Sequence, residues 1–160
     1  MLKPLLAAAL AALLATAALA QDGPQVEDAY ARASANSGAV FLTIVNHSDQ
    51  PDRLLSATSD VAQRVELHTH KEDANGVMQM LQVEEGFAIP GGGTYKLDRG
   101  GDHIMLMGLT RPLAQGDTVT LTLTFERGEV VTLDVPVDND RKPEGHGAMG
   151  HSGHAGHSTP

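Results

Sequence analysis

Apolar and polar residues alternate most clearly between residues 118 and 137. Residues 119–125 carry valine, leucine or phenylalanine at every second position, with threonine between them. After Arg127-Gly128, residues 131–137 repeat the alternation with valine and leucine. A period of two residues places alternate side chains on opposite faces of a β-strand. The pattern therefore predicts a β-hairpin with one face in a core and the other in water.

Shorter runs of the same kind predict further strands upstream. They cover residues 39–45, 53–57, 64–70, 77–83, 94–97 and 103–109. The polar segment 71–76 ends in Asn-Gly, a strong signal for a tight hairpin between the strands on either side. Residues 87–90 lead into Gly91-Gly92-Gly93, which is predicted as a loop. About seven or eight short strands, with no long amphipathic helix, predict an all-β fold of the Greek-key β-sandwich type.

The two ends of the chain depart from this pattern. Residues 1–20 contain a single cation, an apolar run of Leu and Ala, and a final Ala-Leu-Ala, which predicts a secretory signal peptide cleaved before Gln21. The alternative is an uncleaved membrane anchor, but the run is short for a bilayer span. We expect the β-sandwich domain to occupy residues 21–138. Residues 139–160 contain Gly, Ser, Pro and His with almost no apolar residue, and are predicted to form a disordered, His/Met-rich tail.

Composition excludes several classes of function. Removal of Lys3 with the signal peptide would leave ten Lys and Arg against twenty Asp and Glu, a net charge of −10, which lacks the basic surface of a nucleic-acid-binding protein. The chain has no cysteine, so it cannot form a disulfide, a blue-copper site, an iron–sulfur cluster or a structural zinc ribbon. It also lacks GxSxG and HExxH motifs, and no carboxylate is grouped with the histidines as an acid–base pair. We therefore expect a protein that is not an enzyme.

Soft metal-binding side chains are concentrated between residues 68 and 107. This stretch holds four of the five methionines that follow residue 20, and three of the eight histidines. In His68/His70, in Met78/Met80 and in His103/Met105/Met107 the residues are two apart, so the members of each group share one strand face. The predicted hairpin brings the pair His68/His70 beside the pair Met78/Met80. The donors are His68, His70, Met78, Met80, His103, Met105 and Met107. Neutral imidazole and thioether ligands favour Cu(I) over Mg²⁺ or Ca²⁺. Methionine more commonly fills gaps in a core, but that role would scatter these residues along the chain.

The tail contains a second set of donors, spaced by Gly, Ala and Ser: His146, Met149, His151, His154 and His157. A metal-gathering segment would explain this composition. The alternative is a soluble tail or a cloning remnant, although a remnant is more usually an unbroken histidine run.

The same motifs resemble the periplasmic PCuA(C) family of copper chaperones. The likeness is densest in residues 65–68 (VELH), 76–80 (GVMQM), 90–92 (PGG), 101–109 (GDHIMLMGL) and 112–113 (PL). It implies a cupredoxin-like sandwich that binds Cu(I) through His68, Met80, His103 and Met105. The turn between His68 and Met80 is one residue longer than the family spacing, so the second-rank candidates His70 and Met78, together with Met107, remain open. Relatives with a histidine tail imply an auxiliary Cu(II) site there.

These observations predict a periplasmic copper carrier. The resemblance implies an acceptor such as the CuA domain of cytochrome c oxidase, or another copper chaperone. We expect no nucleic-acid partner and no membrane span after residue 20. A monomer is expected, with a metal-bridged dimer as the alternative. Handover requires an exposed site, and His103, at a turn-to-strand boundary, is expected to meet that need. There are two competing interpretations. One is a copper-sequestering protein without a dedicated acceptor, and the other is an enzyme such as a copper oxidase or a histidine-dependent hydrolase.

Overall fold

The structure, a computed structural model, describes residues 23–143, and the chain in this range is built from strands. The strands are β1 Pro24–Ala33, β2 Ser37–Asn46, β3 Asp52–Thr58, β4 Ala62–Glu72, β5 Met78–Gln82, β6 Phe87–Ile89, β7 Thr94–Leu97, β8 His103–Leu109, β9 Thr118–Phe125 and β10 Val130–Pro136. The predicted signal peptide and the five tail donors lie outside the described residues.

The strands form two sheets, and the all-β sandwich class is confirmed. In the six-stranded sheet the order is β1-β2-β8-β4-β5, with β7 also paired to β2. The four-stranded sheet has the order β10-β9-β3-β6. Within residues 23–143 we find no helix with the length and apolar character needed to span a bilayer.

Ten strands are present in the described range, instead of the predicted seven or eight. The first, β1, was not predicted because its alternation is interrupted by a β-bulge between Glu27 and Tyr30, where Asp28 has a φ of 52°. A bulge inserts an extra residue, so the residues after it face the opposite side from the one that simple alternation predicts. The residues that lead into the predicted glycine loop include the three-residue β6, which was not predicted and which pairs with β3.

The core lies between the two sheets and is built by the predicted alternation. Val119, Leu121, Leu123 and Phe125 of β9 are at most 1 % exposed. The facing layer comes from the six-stranded sheet and includes Val40, Leu42, Ile44, Leu67, Ile104 and Leu106. Burial of Ile104 and Leu106 confirms that the intervening residues of β8 lie on the opposite, outer face of the sheet.

The chain remains in contact with the domain beyond β10. Val137 forms a bridge to Ala31, and the Asp138 amide donates to the Ala31 carbonyl at 2.8 Å. The Asn139 side chain accepts a hydrogen bond from the Ala33 amide at 2.9 Å. Arg141 lies over the Tyr30 ring, 4.1 Å from its centroid, and pairs with Asp28. The first residues of the segment predicted as a tail are thus attached to β1.

Candidate metal-binding site

The outer face of the six-stranded sheet brings the predicted donors together. Strand β4 lies between β5 and β8, so its outward side chains have neighbours on both sides. His68 is directly opposite His103, and His70 is directly opposite Met80. Side chains opposite each other in an antiparallel pair have Cβ atoms about 4.5–5.5 Å apart. The predicted proximity holds for His70 and Met80, whereas His68 is opposite Gln82 and Met78 is opposite Glu72.

A polar turn holds the β4–β5 hairpin in this register. The Asp73 carboxylate accepts hydrogen bonds from the amides of Asn75 and Val77 at 2.8 and 3.0 Å, and these bonds lower the pKa of Asp73. Gly76 follows with a φ of 80°, a conformation that glycine adopts without steric cost. The turn is confined to residues 73–77, and β5 pairs regularly with β4 from Met78 to Gln82.

Three imidazole rings form a cluster centred on His103. The His70 ring is nearly parallel to the His103 ring, with centroids 5.0 Å apart. The His68 ring meets His103 edge-on, with centroids 5.9 Å apart. The Gly101 carbonyl is within 3.0 Å of Nδ1 of His103 and 3.3 Å of Nδ1 of His70. Since a carbonyl only accepts hydrogen bonds, both rings donate from Nδ1–H, which leaves each Nε2 with a lone pair for a metal.

His103 is buried, which corrects the expectation of an exposed histidine at this boundary. It is only 2 % exposed because the rings of Phe41, His68 and His70 surround it. Burial lowers the pKa of His103, and the neighbouring histidines act in the same direction, whereas the Gly101 carbonyl opposes them. The neutral, metal-binding form of the ring is therefore favoured.

His68 has a different environment. Its Nε2 lies 2.9 Å from a carboxylate oxygen of Glu66, and the two side chains are only 11 % and 19 % exposed. A carboxylate accepts a hydrogen bond, so Nε2 carries the hydrogen and Nδ1 carries the lone pair of the neutral ring. Nδ1 is buried and has no hydrogen-bond partner. An unpaired buried polar atom costs about 1–3 kcal/mol, a cost that a bound metal ion would remove.

An open cleft of about 440 Å³ lies on this face. His70, Met80, His103 and Met105 all line it, whereas His68 does not. Met80 is 45 % exposed, on the strand at the edge of the sheet, so one sulfur donor is within reach of solvent or a partner.

The other two methionines lie away from the cleft lining. Met78 is opposite Glu72, near the turn of the hairpin, and is 55 % exposed. Met107 is opposite Arg64, whose Nη2 lies 3.4 Å from the Met107 sulfur. These two residues provide matched controls for substitutions of Met80 and Met105.

The histidines alone do not complete a metal site. Among residues 23–143, no group of three or more His, Cys, Asp or Glu side chains is arranged to hold a metal ion. A metal ion held by these histidines would need further donors, and the thioethers of Met80 and Met105 line the same cleft. Such a ligand set is soft and carries no charge, which suits Cu(I) and disfavours Mg²⁺ or Ca²⁺.

Four residues at or beside the cleft were not predicted from the sequence. Glu66 could have been predicted, because it lies two residues before His68 on the same strand and therefore shares its face. The Gly101 carbonyl is part of the quoted GDH motif, but a backbone contact has no sequence signature. Arg32 and Arg99 line the cleft, and each donates a hydrogen bond from Nη1 to the Arg141 carbonyl at 3.2 Å. Arg32 lies on the unpredicted β1, so alternation could not assign its face.

The fold is shared with solved PCuAC domains. The copper-bound PCuAC domain from PmoF2 aligns with a TM-score of 0.59 over 72 % of this chain and 92 % of that one, at 23 % identity. Apo-DR1885 from Deinococcus radiodurans aligns with a TM-score of 0.57 and 32 % identity, over 90 % of this chain and 100 % of that chain. CuI-DR1885 from the same organism is 34 % identical, with a TM-score of 0.55, over 72 % of this chain and 79 % of that chain. The fold thus defines a cupredoxin-like domain of the PCuAC type.

Sequence comparison leads to the same class. The family described as "Putative lipoprotein LpqE-like" matches residues 24–137, which span β1 to β10. A curated relative, "Putative lipoprotein Lxx21020" from Leifsonia xyli subsp. xyli, is 40 % identical over 118 residues, covering 72 % of this chain and 70 % of the relative. The chain belongs to the LpqE-like family, and the predicted membership of the PCuA(C) group is confirmed.

Proposed function

We propose that this protein is a periplasmic copper carrier that binds Cu(I) through His68, Met80, His103 and Met105 and passes it to another copper protein. The observation that carries the proposal is the convergence of Met80, His103 and Met105 on one open cleft, with His68 directly opposite His103 and its buried Nδ1 unpaired. The copper-bound state of related PCuAC proteins supports the choice of metal. The lipoprotein descriptions of the family and of a relative support a location in the cell envelope.

Handover follows from the unequal exposure of the donors. His103 is buried, whereas Met80 is 45 % exposed on an edge strand. A thiolate of an acceptor would displace the Met80 thioether first, while the buried imidazole still holds the ion. Stepwise exchange keeps the ion from facing water alone. The acceptor we propose is the CuA domain of cytochrome c oxidase or another copper chaperone.

The tail is proposed as an auxiliary Cu(II) site formed by His146, Met149, His151, His154 and His157. The attachment of Arg141, which precedes the tail donors in the chain, to two residues of the cleft supports this role. Arg32 and Arg99 line the cleft and both bind the Arg141 carbonyl. His146 is five residues after Arg141, and an extended chain covers at most about 3.3–3.6 Å per residue, so the first tail donor is within roughly 18 Å of this anchor.

The Cu(I) site is tested by the double substitution Met80→Leu and Met105→Leu. Leucine preserves volume and apolar character, so each change should alter stability by less than about 1.5 kcal/mol. A competition titration with a chromogenic Cu(I) chelator should show at least a tenfold loss of affinity, or about 1.4 kcal/mol. The matched control is Met78→Leu with Met107→Leu, outside the cleft lining. Equal affinity in the two double variants would disprove the ligand assignment.

Truncation after Pro143 tests the tail and preserves the contacts of Arg141. We expect Cu(II) uptake to disappear while the Cu(I) affinity of the domain is unchanged. Equal Cu(II) stoichiometry in the full chain and the truncated chain would contradict a role for the tail.

A copper-sequestering function is the second candidate, favoured by the abundance of donors in the tail. Reconstitution separates the two, because a carrier delivers Cu(I) to an apo CuA domain and a sink retains it. Delivery should be faster than release to buffer alone.

A further inference from the structure

We propose that His70 and His68 are alternative copper ligands, so that the ion exchanges one histidine for the other while Met80, His103 and Met105 remain shared. This inference rests on the proposed function and concerns how the same site loads and releases its cargo. In the outer arrangement the ion is bound through His70 at the open cleft. In the inner arrangement it is bound through the buried His68.

The outer arrangement is supported by the cleft itself. His70 lines it together with the three shared donors, and His68 does not. The Gly101 carbonyl accepts from both His70 and His103, so one backbone group fixes the orientation of two imidazoles and leaves both Nε2 atoms free. His70 is also directly opposite Met80, which keeps a nitrogen donor beside the exposed sulfur.

The inner arrangement is supported by the unpaired nitrogen of His68. Its Nε2 is held by Glu66 at 2.9 Å, and its Nδ1 is buried without a partner. A carboxylate on one nitrogen of a metal-binding histidine orients the ring and increases the basicity of the other. His68 therefore has the environment of a ligand, although it is not part of the cleft lining.

Two observations indicate exchange between the histidines instead of simultaneous binding. No three His, Cys, Asp or Glu side chains in the described part of the chain are arranged around a common metal position. In addition, His68 and His70 approach His103 differently, at interplanar angles of 74° and 27°. An ion bound by His103 would thus pair with one of them at a time. Loading and release would use His70, and protection from water would use His68.

Nitrogen NMR of the unmodified protein provides the first test. The full chain, labelled with ¹⁵N in its histidines, is titrated with one equivalent of Cu(I) under reducing conditions. Resonances of His103 Nε2, His70 Nε2 and His68 Nδ1 should all shift, whereas those of the exposed loop residue His47 should not. Binding of Cu(I) without any change at His70 would overturn the inference and leave the proposed function intact. Failure to bind Cu(I) at all would overturn both.

Kinetics of copper extraction provide the second test. In His70→Gln, extraction of Cu(I) by a chromogenic chelator should slow by roughly tenfold or more, with a smaller change in Kd. In His68→Gln, Kd should rise while extraction becomes faster. His47→Gln is the control and should match the unmodified protein. Identical extraction rates for His70→Gln and His47→Gln would contradict the exchange.

Discussion

Glu66→Gln changes a carboxylate that contacts the proposed ligand His68 but does not line the cleft, and whose other oxygen lies 3.5 Å from Nε of the exposed Arg64. The acceptor oxygen lies 2.9 Å from Nε2, and both side chains are mostly buried, so solvent screens this pair weakly. A hydrogen bond to a charged group contributes about 1.5–3 kcal/mol and a neutral one about 0.5–1.5 kcal/mol. The substitution should therefore destabilise the metal-free protein by about 1 kcal/mol, which lowers Tm by roughly 4 °C for a domain of this size.

The effect on copper should be larger than the effect on stability. A neutral amide lowers the basicity of Nδ1, and its NH₂ group can also donate to Nε2, which would place the hydrogen on Nδ1 and remove the lone pair. Loss of an outer-shell partner typically weakens metal binding 10–100-fold, or about 1.4–2.7 kcal/mol. Competition with a chromogenic Cu(I) chelator measures this change. Glu72→Gln, an exposed carboxylate on the same strand, is the matched control. Equal Cu(I) affinity in Glu66→Gln and Glu72→Gln would refute the proposed role of Glu66.

Three further predictions concern stability and attachment of the tail. Burial lowers the pKa of His103, so below about pH 6.5 the unfolded chain binds more protons than the folded one, and stability is lost as pH falls. In thermal unfolding of the metal-free protein from about pH 8 to 5, the Tm of His103→Asn should therefore depend less on pH than that of the unmodified protein. An unchanged slope of Tm against pH would contradict the effect of burial. Gly76→Ala, at a φ of 80°, should destabilise the hairpin by about 1–2 kcal/mol and speed amide exchange in β5, whereas unchanged exchange would show that the turn does not hold that strand. Arg141→Ala removes the contact with Tyr30, which is worth about 0.5–1 kcal/mol, and should therefore speed proteolysis after β10. An unaltered cleavage rate would show that Arg141 does not anchor this segment.

Prediction from sequence was most successful where local alternation and turn chemistry decide the outcome. In β8 the alternation placed Ile104 and Leu106 in the core and Met105 on the outer face, and the Asn-Gly turn predicted the β4–β5 hairpin. Both signals act within about ten residues, so they do not depend on the rest of the fold. The strand β1 escaped prediction because the bulge at Asp28 reverses the faces of the residues that follow it.

The site depends on pairings that alternation does not encode. His68 meets His103 because β4 pairs with β8, two strands that are distant in sequence. Burial of His103 depends further on Phe41 from a third strand. The roles of Gly101 and Arg32 likewise arise from contacts with distant residues.

The sequence by itself determined that this protein is a β-sandwich whose soft donors share the outer faces of their strands, because a two-residue period fixes the side of a strand on which each residue lies. It also determined that thiolate chemistry is absent, since the chain has no cysteine. Only the tertiary structure decided which donors meet. Register between non-adjacent strands set His68 against His103 and His70 against Met80. The same pairing buried one nitrogen of His68 and opened the cleft beside His70, a difference between two neighbouring histidines that their spacing does not reveal.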